Sequence, residues 1–137
     1  MLSELVQLSF DKIMQTNTYT VIILSAEGKR FPIYTEPSTG RILQMYLTES
    51  VKTRPLTFDL IDSILKGLNV EIQQVVINNL EDTIYFARLF LEQTCGDLTH
   101  ILEIDARPSD CITLALMNDV PVFCTREVFD KTISVED

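Results

Sequence analysis

The chain has 137 residues and a mass of 15.6 kDa, enough to bury one core without disulfide or metal support. With 46% hydrophobic and 23% charged residues it is neither a disordered tail nor a low-complexity array. Its net charge of −9 excludes a broad phosphate-binding surface of the kind that wraps a duplex.

Leu5 to Met14 has apolar residues at mixed spacing and fits a strand or a short helix. Thr18 to Leu24 (TYTVIIL) is β-branched and aromatic, and Ala26-Glu27-Gly28-Lys29 reads as a turn. Arg30 to Tyr34 resumes the extended pattern, so the two segments form a hairpin. Pro32 puts its strand at an edge or a bulge. Thr39 to Thr48 has helical spacing, and Arg54-Pro55 breaks the chain. Thr57 to Leu68 is a second, amphipathic helix, with Thr57 as N-cap and Asp59 in its first turn. Its apolar stripe is Phe58, Ile61, Leu65 and Leu68, widened by Leu60 and Ile64. From Val70 the period changes to two, and Val70 to Ile77, Thr83 to Glu92 and Thr99 to Arg107 make an antiparallel meander. Pro108-Ser109 then opens a helix running to Asn118, apolar nearly all round and therefore buried. Pro121 to Cys124 is a short buried strand, and Arg126 to Ile133 a terminal helix. The expected fold is α+β: a largely antiparallel mixed sheet with helices packed against it. No linker and no internal repeat divides the sequence, so residues 1–137 are expected to form a single domain.

The three cysteines, Cys95, Cys111 and Cys124, are odd in number and form no C-x-x-C pair, which points to a reducing compartment. Cys111 and Cys124 are expected to be buried and Cys95 exposed. No basic leader opens the chain, and no apolar run approaches the roughly 18 residues of a membrane span. A cytoplasmic protein without a membrane partner is expected.

Residues 1–68 carry seven basic and seven acidic side chains, and residues 69–137 carry four and thirteen. An anion footprint therefore belongs to the first half, around Lys29, Arg30, Arg41, Lys52 and Arg54. The most informative local pattern is His100 to Asp110, HILEIDARPSD. Alternation along a strand puts Glu103, Asp105 and Arg107 on one face, and hairpin closure near Cys95 sets Arg88 opposite Glu103 or Asp105. Carboxylates converging there could hold a divalent cation or serve as general acid and base. A cross-strand ion pair, with Asp110 merely favouring a helix dipole, accounts for the same residues. Phe58, Phe86, Phe90 and Phe123 fall on apolar stripes and are expected in the core. No P-loop, G-x-G-x-x-G or serine nucleophile motif is present.

Arg54-Pro55-Leu56-Thr57-Phe58-Asp59-Leu60, Tyr85-Phe86-Ala87-Arg88-Leu89 and Glu103-Ile104-Asp105-Ala106-Arg107-Pro108-Ser109-Asp110 together resemble the bifunctional nuclease family, in order and over about residues 5–128. The resemblance implies a compact α+β domain that self-associates, a dimer being the first expectation, and that degrades RNA and DNA. Single-stranded nucleic acid is the implied partner. By motif match Asp105, Asp110 and Asp59 are the catalytic candidates, and Arg54, Arg88 and Arg107 the phosphate-binding ones. Magnesium or manganese is compatible with such a carboxylate set, and the resemblance leaves the metal open. Two motifs depart from the family pattern. Phe58 stands where histidine is usual, and Glu36-Pro37-Ser38-Thr39 replaces a Gly-Pro-x-Glu stretch. These departures and the acidity favour a second expectation, a family member that keeps the fold as a non-catalytic interaction or regulatory domain.

Overall fold

The computed structural model describes residues 4–135. Its first strand, β1 (Leu5–Gln15), pairs antiparallel with β2 (Thr20–Ala26), which turns into β3 (Lys29–Thr35). Glu27 and Gly28 make that turn with φ of 49° and 75°, the positive pair that a two-residue hairpin needs to match strand twist. Leu5 to Met14 is thus strand, and β3, with its Pro32, lies at the sheet edge, the first of the two places a strand proline allows. Helix α1 (Pro37–Leu47) follows, with proline at its first position, where no backbone N–H is needed. Helix α2 (Thr57–Gly67) comes next.

Thr57 is the first helical residue, not the cap. Leu56 holds the cap position, and the Asp59 carboxylate accepts its backbone N–H at 2.7 Å, the reciprocal half of a capping box without a cap hydroxyl. The α2 stripe is also narrower than its sequence suggests. Phe58 is buried and Ile61 and Leu65 pack on the core, whereas Leu60, Ile64 and Leu68 are exposed, because only one side of the helix meets the sheet.

Strands β4 (Val70–Glu81), β5 (Ile84–Cys95) and β6 (Leu98–Ala106) form the second meander, and α3 (Pro108–Asn118) follows it. Then come β7 (Val122–Thr125) and the short helix α4 (Arg126–Lys131). All seven strands join one sheet in the order β3-β2-β1-β7-β4-β5-β6. β7 runs antiparallel to β1 and parallel to β4, so the short strand near the chain's end is the central one.

This order reads the same outward from β7 in both directions. Each half is a three-stranded meander followed by a proline-started helix: Glu36-Pro37-Ser38 opens α1, and Arg107-Pro108-Ser109 opens α3. Flanking β7 in opposite senses, β1 and β4 run antiparallel to each other, so the halves are related by a pseudo-two-fold through β7. The sequence shows no repeat because alternation and Pro-Ser helix starts can be kept while every side chain changes.

The core lies on the helix-covered face: Val6, Leu8, Cys124, Ile77, Val75, Ala87, Leu89 and Leu91 from the sheet, with Cys111, Ile112, Leu114 and Ala115 of α3 against them. Helix α3 is buried on nearly every side, as its sequence requires. Phe58 belongs to this core. Phe86, Phe90 and Phe123 do not: they are half-buried and share the opposite, open face with Val76 and Arg88, since strand alternation turns them away from the helices. Cys111 and Cys124 are buried and Cys95 is exposed. Among the described residues no helix is long and apolar enough to cross a membrane.

Candidate active site

Helices α1 and α3 both begin at one cleft of about 510 Å³. Thr18, Tyr34, Thr35, Thr83, Tyr85 and Ser109 contribute to its walls, and Arg107 stands at its rim immediately before α3. The Arg107 guanidinium is held from two sides. Its Nε and Nη2 donate to the two Asp110 carboxylate oxygens at 2.9 and 3.2 Å, and Nη1 donates to Glu36 at 3.3 Å. Asp110 first and Glu36 second hold the guanidinium more firmly protonated than a free arginine. Glu36 and Arg107 occupy equivalent places in the two halves, each just before a Pro-Ser helix start, so pseudo-symmetry brings them together. Backbone N–H groups of a first helical turn have no partner within the helix and favour an anion, an effect of about 0.3–1 kcal/mol at an exposed terminus. The cleft thus pairs a helix N-terminus with a planar cationic fork that fits phosphate oxygens.

A second group lies on the open face. Arg88 of β5 sits directly opposite Asp105 of β6, settling the pairing that the sequence leaves open, and its Nε lies 3.8 Å from Glu103. One row across the sheet runs Gln7, Phe123, Val76, Arg88, Asp105, so the guanidinium stands between apolar neighbours and acidic ones. Asp105 and Asp110 share one neighbour. Burial, with the charges of Asp110 and Asp105 adding to it, pushes the Cys111 thiol up to about 12, and so protonated a thiol is no nucleophile.

The third group stays apart. Asp59 accepts Lys52 Nζ at 2.8 Å besides the Leu56 N–H, and these two contacts hold its carboxyl below the usual carboxylate range. Lys52 also lies 4.4 Å from the Tyr46 ring centroid, and Tyr46 meets Phe58 edge-on. Burial and then the nearby Asp59 push the Tyr46 phenol up to about 12. Arg54 is exposed in the loop before α2 and makes no ion pair among the described residues. The structure therefore joins Arg107 to Asp110, sets Arg88 across from Asp105 while pairing it with Glu103, and keeps Asp59 and Arg54 at the start of α2. Sequence reading gave Glu36 no role in the site. The signal was the Pro-Ser step it shares with Arg107.

Because the folded Asp59 pKa lies below the unfolded value of ~3.9, its contribution to stability is present above that value and is lost as pH falls through the lower folded one. Asp59→Asn is expected to lower the urea midpoint at neutral pH and to match the parent once the parent's Asp59 is protonated in both the folded and the unfolded state. A gap that persists unchanged below pH ~2 would show that packing, not charge, is at work.

The donor set does not fit a resident metal. Both Asp110 oxygens are taken up by Arg107, and among the described residues no group of three or more His, Cys, Asp or Glu side chains could hold a metal ion.

Comparison with known proteins matches residues 21–136 to the bifunctional nuclease domain. The chain is also similar to an uncharacterized protein of Mycobacterium tuberculosis, 27% identical over 119 residues, which is 85% of this chain and 68% of that one. It is similar to Bifunctional nuclease 2 and Bifunctional nuclease 1 of Arabidopsis thaliana, at 26% and 25% identity over 107 residues. Those matches span 76% of this chain but only 32% and 33% of the plant proteins.

Proposed function

The chain belongs to the bifunctional nuclease domain family, and from that membership we propose that it hydrolyses phosphodiester bonds of single-stranded RNA and DNA. The observation that carries this reading is Arg107, poised at the rim of the cleft over the N-terminus of α3 with Asp110 beside it. A substrate phosphate enters between the two helix starts and replaces the longer, 3.3 Å contact of Arg107 with Glu36. The guanidinium and the first-turn N–H groups then face the phosphoryl oxygens, where charge builds as water adds to phosphorus. Asp110, held by Arg107 but with a carboxylate lone pair still free, accepts the proton of that water as the new P–O bond forms. The ester P–O bond opposite breaks, and the leaving oxygen takes its proton from solvent water. Asp105, with Arg88 beside it, is the second carboxylate of the set. Arg54 and Arg88 guide the strand, and Asp59 fixes the start of α2. A narrow cationic rim on an acidic chain suits a single strand. The proposed setting is the cytoplasm, with the chain acting as a homo-oligomer.

One feature favours the second reading, a non-catalytic interaction or regulatory domain. The Arg107–Asp110 pair closes on itself with two hydrogen bonds, and the usual histidine position is filled by Phe58, buried in the core. Digestion of single-stranded RNA and DNA by the purified protein, with and without magnesium or manganese, separates the readings. Cleavage that Asp110→Asn removes supports the nuclease. Equal traces from both proteins mean contamination and overturn it.

A further inference from the structure

The two edges of the sheet are treated differently. β3 is blunted by Pro32, which has no N–H to offer, and the backbone N–H of Val135 donates to Arg30 O at 2.7 Å, so a later segment lies along that edge. β6 ends the other side of the sheet, and among the described residues no strand pairs with its outer edge. It contains no proline, lysine or arginine in Leu98–Ala106. Every residue from Leu98 to Asp105 is exposed, including the large apolar side chains Leu98, Ile101, Leu102 and Ile104. A long, straight, apolar edge without these defences is a template for another strand.

We propose that β6 pairs antiparallel with β6 of a second copy, making one continuous sheet across a two-fold axis at Leu102. This names the surface for the self-association proposed above and rests on that reading. The register follows from face and charge. A two-fold perpendicular to the sheet keeps every side chain on its own face, which leaves registers differing by whole steps of the axis along the strand. With the axis on Leu102, Leu102 meets its own copy, Ile104 meets His100, Ile101 meets Glu103 and Thr99 meets Asp105. No like charges face each other. Just beyond the strand, Asp97 of the turn comes opposite Arg107, an attractive pair at each end. Moving the axis to Ile101 sets Asp97 against Asp105, and moving it to Glu103 sets that carboxylate against itself, contacts that destabilise a ladder. The acidic residues of β6 all lie in its second half, so antiparallel pairing lays each acidic half on the partner's uncharged half.

Light scattering of the purified protein at micromolar concentration, beside three variants, tests this. The parent is expected at twice the 15.6 kDa chain mass. Leu102→Lys puts two ammonium groups together at the axis and should weaken dimerisation by at least about tenfold, whereas Ile101→Lys places its charge against Glu103 and should keep the dimer. Both positions are exposed, so far-UV circular dichroism should match the parent in each. Leu102→Cys in a Cys95→Ser background should cross-link to itself on mild oxidation, and Ile104→Cys in that background should not. A monomeric parent overturns both self-association and this surface. A dimer that survives Leu102→Lys, or cross-links equally through both cysteines, overturns the surface alone.

Discussion

Gly40→Ala is expected to destabilise the protein, although alanine is the better helix former by about 0.8–1.0 kcal/mol in a helix interior. Gly40 lies in the first turns of α1 and is buried. A Cβ built on it would lie 2.6 Å from Thr20 Cγ2 and 2.7 Å from Gln15 Nε2, and closer still to Thr20 Oγ1. Gln15 could swing away. Thr20 cannot: it is fully buried, β-branched and fixed in β2, and its hydroxyl hydrogen-bonds the Gln15 amide. The helix must lift from the sheet, or the strand must shift. Either response costs about 1–3 kcal/mol, the range for overpacking a dense interior, and exceeds the propensity gain. Equilibrium urea unfolding reads the sign directly: the midpoint should fall with an unchanged slope. A rise would mean that α1 rides loosely on β2. Since α1 also presents Glu36 to the cleft, the same variant should disturb the site without touching it.

Arg107→Ala is expected to lower cleavage of single-stranded RNA by roughly 100-fold or more, the usual consequence of losing one preorganised group at a developing oxyanion. Arg107→Lys should recover little. An ammonium is a point donor and cannot span both Asp110 oxygens while facing a phosphate, whereas the arginine fork holds Asp110 through Nε and Nη2 and keeps Nη1 for the cleft. The loss should appear in kcat as well as KM, because the arginine both meets the phosphate and orients the base. Activity retained by the alanine variant would remove the cleft from the mechanism.

Local structure was legible in the sequence wherever a residue's own chemistry dictates it. Glu27-Gly28 had to turn, Pro32 had to lie at an edge or a bulge, and the all-round apolar run after Pro108 had to be buried; the turn and the burial are so, and Pro32 lies at an edge. The hairpin count set Arg88 against Glu103 or Asp105, and the ladder selects Asp105. What stayed hidden depends on contacts far apart along the chain. Nothing local to Val122–Thr125 says that it lies between β1 and β4, because its partners are 114 or more and 47 residues earlier. Phe86, Phe90 and Phe123 look like core residues by hydropathy alone, and only knowing which face the helices cover sends them to the other side. At the site the fate of Asp59 was hidden for a different reason, since its partners Lys52 and Leu56 are close in sequence. A first-turn carboxylate reads alike whether it caps its own helix or serves chemistry.

The central position of β7 bears on how the chain is made. Until these four residues are synthesised, the two meanders have no strand between them, and the edges of β1 and β4 lie open. A ribosome releases the N-terminal meander first, then its counterpart, and supplies the joining strand only near the end of the described chain. Sheet closure is therefore a late event, governed by loop closure over more than a hundred residues rather than by hairpin formation. During that interval β1 and β4 join β6 as edges open to strands of neighbouring nascent chains. The shortest strand of the sheet thus sets the moment at which the chain ceases to be two sticky halves.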